Sequence, residues 1–579
     1  MNRETQAHFA KYPSVSIGRS KFDRSFDHKT SLSEGMLYPI FVDPDIVPGD
    51  TVNMKMAELV RMTTPLTPVM DNAKLDVYFF FVPNRLVMTD WKKLMGENET
   101  KPWTQTTEVE IPQLKINDRR AQYTQSGQII YYTPNTVEEG SVLDYMGIPP
   151  QSWEPQSTET KVIKISALPT RAYCLIWNEF FRDENLQNPV DIPKDNTERT
   201  VANEKLKEHE ATVTDITRSH TGGLKPLKVC KTHDYFTSCL PGAQKGPAVS
   251  IPLTEDRAPL LLGKYYDTTD GEWKTNSQYG HAAIVDAPTG EVQDQPIENW
   301  EDETPSQLSL TSWYSLWTDL SNVTGATITQ LRQAFAVQKF YERDARSGTR
   351  YIESIWSHFG VRNPDYRLQR PEYLGGYTHQ INVNQVVQNS STDNTSPLGY
   401  TGAYSVTSHT DGSVFTKSFT EHGILMGLAC IRLNQHTYSQ GINRAWFKKK
   451  RLDFYSPEFA NLSEQAVLNQ EIYAQGTDDD KEAFGYQEAW AEMRYMPDMT
   501  SALMRPQLSG LGLGAIWTWG DNYNELPSLG EEWIKEGKEN IERTLAVTEE
   551  DQFIADFYFG ATYTRPLPLY SIPGLIDHH

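Results

Sequence analysis

"AKLDVYFFFVP", residues Ala73–Pro83, decides how the fold is read. Leu75, Val77, Phe79 and Phe81 alternate along one face, as a β-strand requires, and Tyr78, Phe80 and Val82 make the other face apolar too. A strand that is apolar on both faces belongs between two layers. Pro83 stops it, and "RLVMTDWKKLMG" reads as a short helix closed by Gly96. Upstream, "GDTVNMKMAELVRM" alternates through Val52, Met54 and Met56 as a half-buried strand. Far downstream, "GILMGLACIRL" is a continuous apolar run of strand type, and "DQFIADFYFGATYTRPLP" alternates through Phe553, Ala555, Phe557 and Phe559. Strands at both ends of a chain, separated by long excursions, suit a sandwich whose sheets are completed late.

Composition agrees with an all-β chain. Aromatics at 11%, including 29 Tyr, together with 34 Pro and 36 Gly, favour short strands joined by long ordered connections. A mean hydropathy of −0.57 and the lack of a long apolar stretch or leader pattern predict a soluble chain made in a cytoplasm. Two further helices are expected. In "LPTRAYCLIWNEFFRDENLQNP", residues 168–189, Pro169 suits a first turn, and Ala172, Leu175, Ile176 and Phe180 share a face. Thr327 and Gln330 form a capping box ahead of Ile328, Leu331, Phe335 and Phe340, with an end near Gly348. The stretch "SIGRSKFDRSFDHKT" has no sustained period, so residues 1–35 read as an extended arm before one domain over 36–579.

The net charge is −22, which argues against a free-standing nucleic-acid binder. Its distribution says more than its sum. Residues 254–323, a stretch with little periodicity, hold thirteen acids against Arg257, Lys264 and Lys274, while residues 1–30 hold six bases against three acids. Such a long irregular stretch is functional more often than not.

The chemical motifs are sparse. Cys174, Cys230, Cys239 and Cys430 are too few for a disulfide framework and form no CxxC pair. "SGLGLG" at 509–514 lacks the Lys-Ser/Thr of a phosphate loop and reads as a tight turn or close backbone approach. The histidines show no metal-ligand spacing. "HDYFTSC" brings His233 and Asp234 near Cys239 in sequence, but its neighbours Phe236 and Leu240 point to a buried strand. No catalytic, cofactor or metal site is therefore assigned. "RAWFKKKRLDFY" stands apart: Lys448, Lys449, Lys450 and Arg451 are the only run of four bases, bracketed by Trp446, Phe447, Phe454 and Tyr455. Three readings compete there: a solvated face with core aromatics around it, a sequence-tolerant single-strand site, and a subunit contact.

Several long segments, in order along the chain, resemble the major capsid proteins of the Microviridae, the gokushovirus group in particular. They are "RSKFDRSFDHKTSLSEGMLYPIFVDPDIVPGDT", "PVMDNAKLDVYFFFVPNRL", "LPTRAYCLIWNEFFRDENLQ", "DYFTSCLPGAQKGPAV", "RPEYLGG", "DFYSPEFANLSEQAVLNQEIY" and "FGYQEAWAEMRYMPDMTS". Departures are local: "LPGAQKG" lacks the Trp-Pro common after "CLP", and Ser456 and Ser463 stand where an aromatic and a Gly are common. The resemblance implies an eight-stranded jelly roll with long loop insertions and a few short helices. Sixty copies would close a T=1 icosahedral shell around circular single-stranded DNA, in a virion assembled in the host bacterial cytoplasm. It also implies that 254–323 is a threefold protrusion, with Tyr265, Tyr266, Trp273, Tyr279 and Trp300 as its candidate aromatics and a host surface receptor as a possible partner.

Read with the resemblance, Arg19, Lys21, Arg24 and Lys448–Arg451 become candidates for facing DNA, and Trp177, Phe180, Phe181 and Arg182 for a subunit interface. Because an acidic shell cannot neutralise its cargo, a small basic DNA-binding virion protein is expected beside it. The competing class is a β-sandwich carbohydrate-binding protein or glycosidase, which predicts an aromatic-lined cleft in a monomer.

Overall fold

A computed structural model describes residues 18–97, 109–117, 121–125, 128–132, 137, 139–150, 162–200, 225–246, 260–267, 272–274, 314–318, 328–346, 350–381, 385–387, 401–404, 407–506, 513–548 and 550–570. The strands that matter are β1 (Ser20–Asp23), β2 (Phe26–Leu32), β3 (Tyr38–Ile46), β4 (Thr51–Met62), β5 (Ala73–Pro83), β6 (Glu372–Ile381), β7 (Thr407–Ser418), β8 (Gly423–Leu433) and β9 (Phe553–Arg565). They form two antiparallel sheets. One runs β2-β9-β4-β7, with β1 also paired to β9; the other runs β3-β8-β5-β6.

The alternation in β4 and β9 has its expected consequence. Val52, Met54, Met56 and Val60 of β4 and Phe553, Phe557, Phe559 and Tyr563 of β9 meet Leu75, Val77, Phe79 and Phe81 of β5 in one buried core. At its centre the Phe79 ring lies 5.5 Å from Phe415, 6.2 Å from Phe41 and 6.4 Å from Phe559, so strands of both sheets grip one side chain. Gly427 makes room for it: a Cβ there would come within 2.8 Å of the Phe79 ring and 2.9 Å of the Phe41 Cβ.

The other face of β5 is buried as well. Phe80 and Val82, with Ile424, Met426, Leu428 and Cys430 of β8, form a second core against helix α1 (Leu168–Ile176). α1 supplies Ala172, Tyr173 and Ile176, and Pro169 occupies its first turn as expected. The helix then widens into a π-turn over Trp177–Phe181, closed by Arg182 N–H donating to the Trp177 carbonyl at 3.0 Å. Trp177 and Phe181 both face inward as a result.

Other expectations are corrected. Part of the N-terminal arm is sheet: β2 runs along β9 with Phe26 opposite Phe559 and Leu32 opposite Phe553. "RLVMTDWKKLMG" forms two single turns, Asn84–Val87 and Trp91–Leu94, followed by Gly96 at φ 93°. "HDYFTSC" is a turn and not a strand, because Asp234 folds back to accept the N–H groups of Phe236 at 2.9 Å and Thr237 at 2.8 Å.

Residues Gln244–Arg346 form a second compact unit. Its described parts are the strand Leu260–Asp267, paired antiparallel with Glu272–Lys274 and Tyr314–Thr318, and the helix Ile328–Arg346. Thr327 lies outside the described residues. Phe335 and Phe340 on that helix are exposed, so the apolar stripe read from the sequence is not a core stripe. A stripe states that a face is apolar, not that its own chain covers it. Among the described residues no helix is long and apolar enough to cross a membrane.

Candidate nucleic-acid interface

The basic run sits on a surface loop of three short 3₁₀ turns, Arg444–Phe447, Arg451–Asp453 and Pro457–Phe459. Local hydrogen bonds set its shape. The Asn443 side chain accepts from Ala445 N–H at 2.9 Å, and the Asp453 carboxylate accepts from Lys449 N–H at 2.8 Å and Lys450 N–H at 2.7 Å. Those two N–H groups hold the Asp453 carboxyl below its usual range.

Lys449, Lys450 and Arg451 are exposed, and the Lys448 ammonium lies 5.4 Å above the Phe454 ring. Trp446 is 82% exposed, and Leu452, Phe454 and Tyr455 are exposed as well. The reading as a solvated face predicts core aromatics around the bases. The backbone turns too tightly for period-two alternation, and most of these rings face outward.

Beneath the loop lies a cavity of about 560 Å³, lined by Phe447, Lys448, Leu452, Gln465, Trp490 and Glu492 among others. Trp490 adopts φ 66°, the left-handed region where side chains other than glycine persist only if the surroundings hold them. Its indole N–H donates to the Phe459 carbonyl at 2.9 Å, and its ring meets Tyr455 edge-on at 5.5 Å. Arg444 at the cavity wall is 3.3 Å from Glu471 and donates to the Ala466 carbonyl at 2.6 Å. Sequence reasoning did not single out Trp490, since a left-handed Trp leaves no local pattern.

The remaining candidates lie on other elements. Arg19 and Lys21 are exposed at and beside β1. Arg24 is committed within the chain: its guanidinium is 2.5 Å from the buried Asp43 and stacks 4.7 Å from the Tyr563 ring. Trp177 is buried and donates to the Lys228 carbonyl at 2.8 Å; Phe181 is buried too. Phe180 lies between the Phe80 ring at 4.7 Å and the Arg370 guanidinium at 4.4 Å. Arg182 donates to the Gln187 carbonyl at 2.7 Å, while Glu184 pairs with Arg350 at 3.1 Å. The helix end thus packs its own scaffold, and the rings of Trp177 and Phe181 leave no surface for a neighbour to cover. In the second unit Tyr266 opposes Trp273, and Tyr265 opposes Lys274; Tyr279 and Trp300 lie outside the described residues.

The Cys239 thiol is pushed up by burial, with Glu471 and Asp234 adding to the shift, so it carries no thiolate to use. Burial likewise holds the Cys230 and Cys430 thiols up at about 12. Residues 507–512 of the glycine-rich stretch lie outside the described residues, but a Cβ on Gly514 would collide with the Met504 carbonyl, a close backbone approach. Among the described residues no group of His, Cys, Asp and Glu could hold a metal ion.

A dense set of titratable groups is buried in the interior. His436 bridges Asp521, at 2.9 Å from Nδ1, and Glu536, at 3.1 Å from Nε2, with all three side chains buried. Asn540 donates to Asp521 at 2.7 Å, Lys231 lies 4.6 Å above the Trp533 ring, and the buried Glu34 is nearby. Burial raises the Glu34 carboxyl well above its usual range, and Glu536 raises it further. These carboxylates are shut away from any sugar and serve the fold.

The sequence profile described as capsid protein (F protein) matches residues 10–575. Three similar proteins are each named capsid protein VP1. That of Bdellovibrio phage phiMH2K is 38% identical, covering 99% of this chain and 98% of that protein. Those of Chlamydia phage 1 and Spiroplasma virus 4 are each 36% identical, covering 98% of this chain and 97% of the relative.

Proposed function

The chain belongs to the phage capsid protein (F protein) family and is a major capsid structural protein of the Microviridae type, and from that membership we propose that sixty copies close an icosahedral shell around circular single-stranded DNA. The observation that carries this reading is the strand order. Numbered along the chain, β2 to β9 divide into the orders β2-β9-β4-β7 and β3-β8-β5-β6, an order that supports reading them as two interleaved Greek keys in an eight-stranded jelly roll. Such a sandwich has its first and last strands side by side and sends its connections outward, where neighbours can meet them. The role is structural and not enzymatic, and the virion is assembled in the host cytoplasm.

Charge supports a division of labour inside the shell. Each copy brings −22, so sixty copies add on the order of a thousand negative charges to those of the DNA. A small basic virion protein and cations neutralise the cargo, while Lys448–Arg451, with Arg19 and Lys21, touch DNA locally. The acidic 254–323 segment is the threefold protrusion. It contacts a host surface receptor, and deleting it should abolish adsorption while leaving assembly intact; unchanged adsorption would remove that role.

The assembly reading is tested by cryo-electron microscopy of the expressed chain after size-exclusion chromatography. The expected result is a closed sixty-subunit shell with knobs at its threefold axes. A particle of another subunit number, or a monomer that stays monomeric with the other virion proteins added, would sink it.

A further inference from the structure

The loop and the cavity beneath it differ in charge in a way that sorts the parts of a nucleotide. The cavity wall carries Asp453, Glu464, Glu471 and Glu492 against Arg444 and Lys448, so it repels a phosphate. The loop beside it carries the exposed Lys449, Lys450 and Arg451, sequence neighbours of the lining residues Lys448 and Leu452, and these attract one. Phe447 and Trp490 give the lining aromatic surface, and the half-exposed Glu492 carboxylate can accept a hydrogen bond from an amino group. The volume of about 560 Å³ falls in the range of small-molecule sites. Trp490, held left-handed and fixed by its bond to the Phe459 carbonyl, is a rigid wall and not a side chain that folds in to fill the space.

We propose that this cavity receives one unstacked base of single-stranded DNA, with preference for a base bearing an exocyclic amino group, while Lys449, Lys450 and Arg451 hold the flanking phosphates. The proposal rests on the reading that the basic loop faces DNA and adds to it a base-binding site. Stacking on aromatics tolerates any base, whereas the Glu492 carboxylate favours cytosine or adenine over thymine, which has no amino group to donate.

The test uses the purified full-length chain and three fluorescent oligonucleotides of about ten nucleotides, a length such grooves cover: oligodeoxycytidine, oligodeoxythymidine and an abasic deoxyribose-phosphate strand. Over a salt series, the cytidine strand should bind roughly tenfold tighter than the abasic one, the scale of one base–aromatic stack, with thymidine between them. Ser463→Trp, which fills the cavity from its wall, should abolish that preference. Converting Lys449, Lys450 and Arg451 to alanine should weaken all three strands and flatten the salt slope. A strand carrying 5-bromodeoxycytidine, photo-crosslinked to the wild-type chain, should attach at Trp490 or Phe447, a readout independent of any variant. Equal binding of cytidine and abasic strands with a steep salt slope, or crosslinks confined to Trp446 and Phe454 on the outer loop, would overturn the base site and leave the DNA-facing loop standing. No binding of any strand would overturn both.

Discussion

Replacing His436 with alanine is expected to destabilise the subunit by about 3–5 kcal/mol at neutral pH, because it leaves Asp521 and Glu536 buried without their common partner. The pH dependence of this cost separates the ionic cause from a packing cause. Burial by itself would lower the imidazole, but the carboxylates of Glu536 and Asp521 outweigh it and hold His436 at about 10. A group raised in this way stabilises fully below its unfolded value of 6.5, and the benefit is lost as pH rises toward about 10. Asp521 and Glu536 are held below their usual values despite burial, with His436 and Lys231 as the opposing cause, so their contribution is present above 3.8 and 4.5 and is lost as pH falls. Urea midpoints of wild type and His436→Ala at pH 5.5, 7 and 10 should therefore differ most at pH 5.5 and converge as pH rises toward 10. A difference below about 1 kcal/mol at pH 7, or one that does not change with pH, would show that the imidazole only fills space.

Phe79→Ala should cost about 3–5 kcal/mol, the usual range for removing a buried phenyl ring. The side chain is fully buried, and rings from β3, β7 and β9 surround it, so the cavity is shared by both sheets. Rigid β-strands cannot collapse into it. Phe454→Ala is the matched control: that ring is 57% exposed and its loss should fall within about 0.5 kcal/mol. Thermal and urea unfolding of the unassembled subunit would measure both. A Phe79→Ala cost near that of Phe454→Ala would mean that the two sheets do not rely on this ring to hold together.

The contrast between these two phenylalanines also shows what the sequence could disclose. Alternation over Thr51–Met62 and Phe553–Arg565, and two-sided apolarity over Ala73–Pro83, were legible because each strand's burial pattern is written locally. β1 and β2 were not. They pair with β9 more than five hundred residues away, and along much of β2 the side chains remain exposed or half-exposed, so little apolar pattern was needed. The basic run was legible as a group, but its aromatics were placed by turns whose geometry depends on the side chains of Asn443 and Asp453. The His436 network was invisible for a similar reason: Glu34, Lys231, His436, Asp521 and Glu536 meet only after the chain has folded. Trp490 carried no signal, because only its backbone angle marks it.

The position of β9 has a consequence in time as well as in space. Its backbone pairs with β2 on one side and β4 on the other, so the first sheet has a gap until residue 565 has been made. At roughly 5–20 residues per second, the early strands wait about half a minute to under two minutes on the ribosome with open edges. A subunit in that condition presents no finished wall to its neighbours. The strand that closes the sandwich is the last one translated among those described, so a chain cut short before Phe553 has no completed first sheet to offer a neighbour.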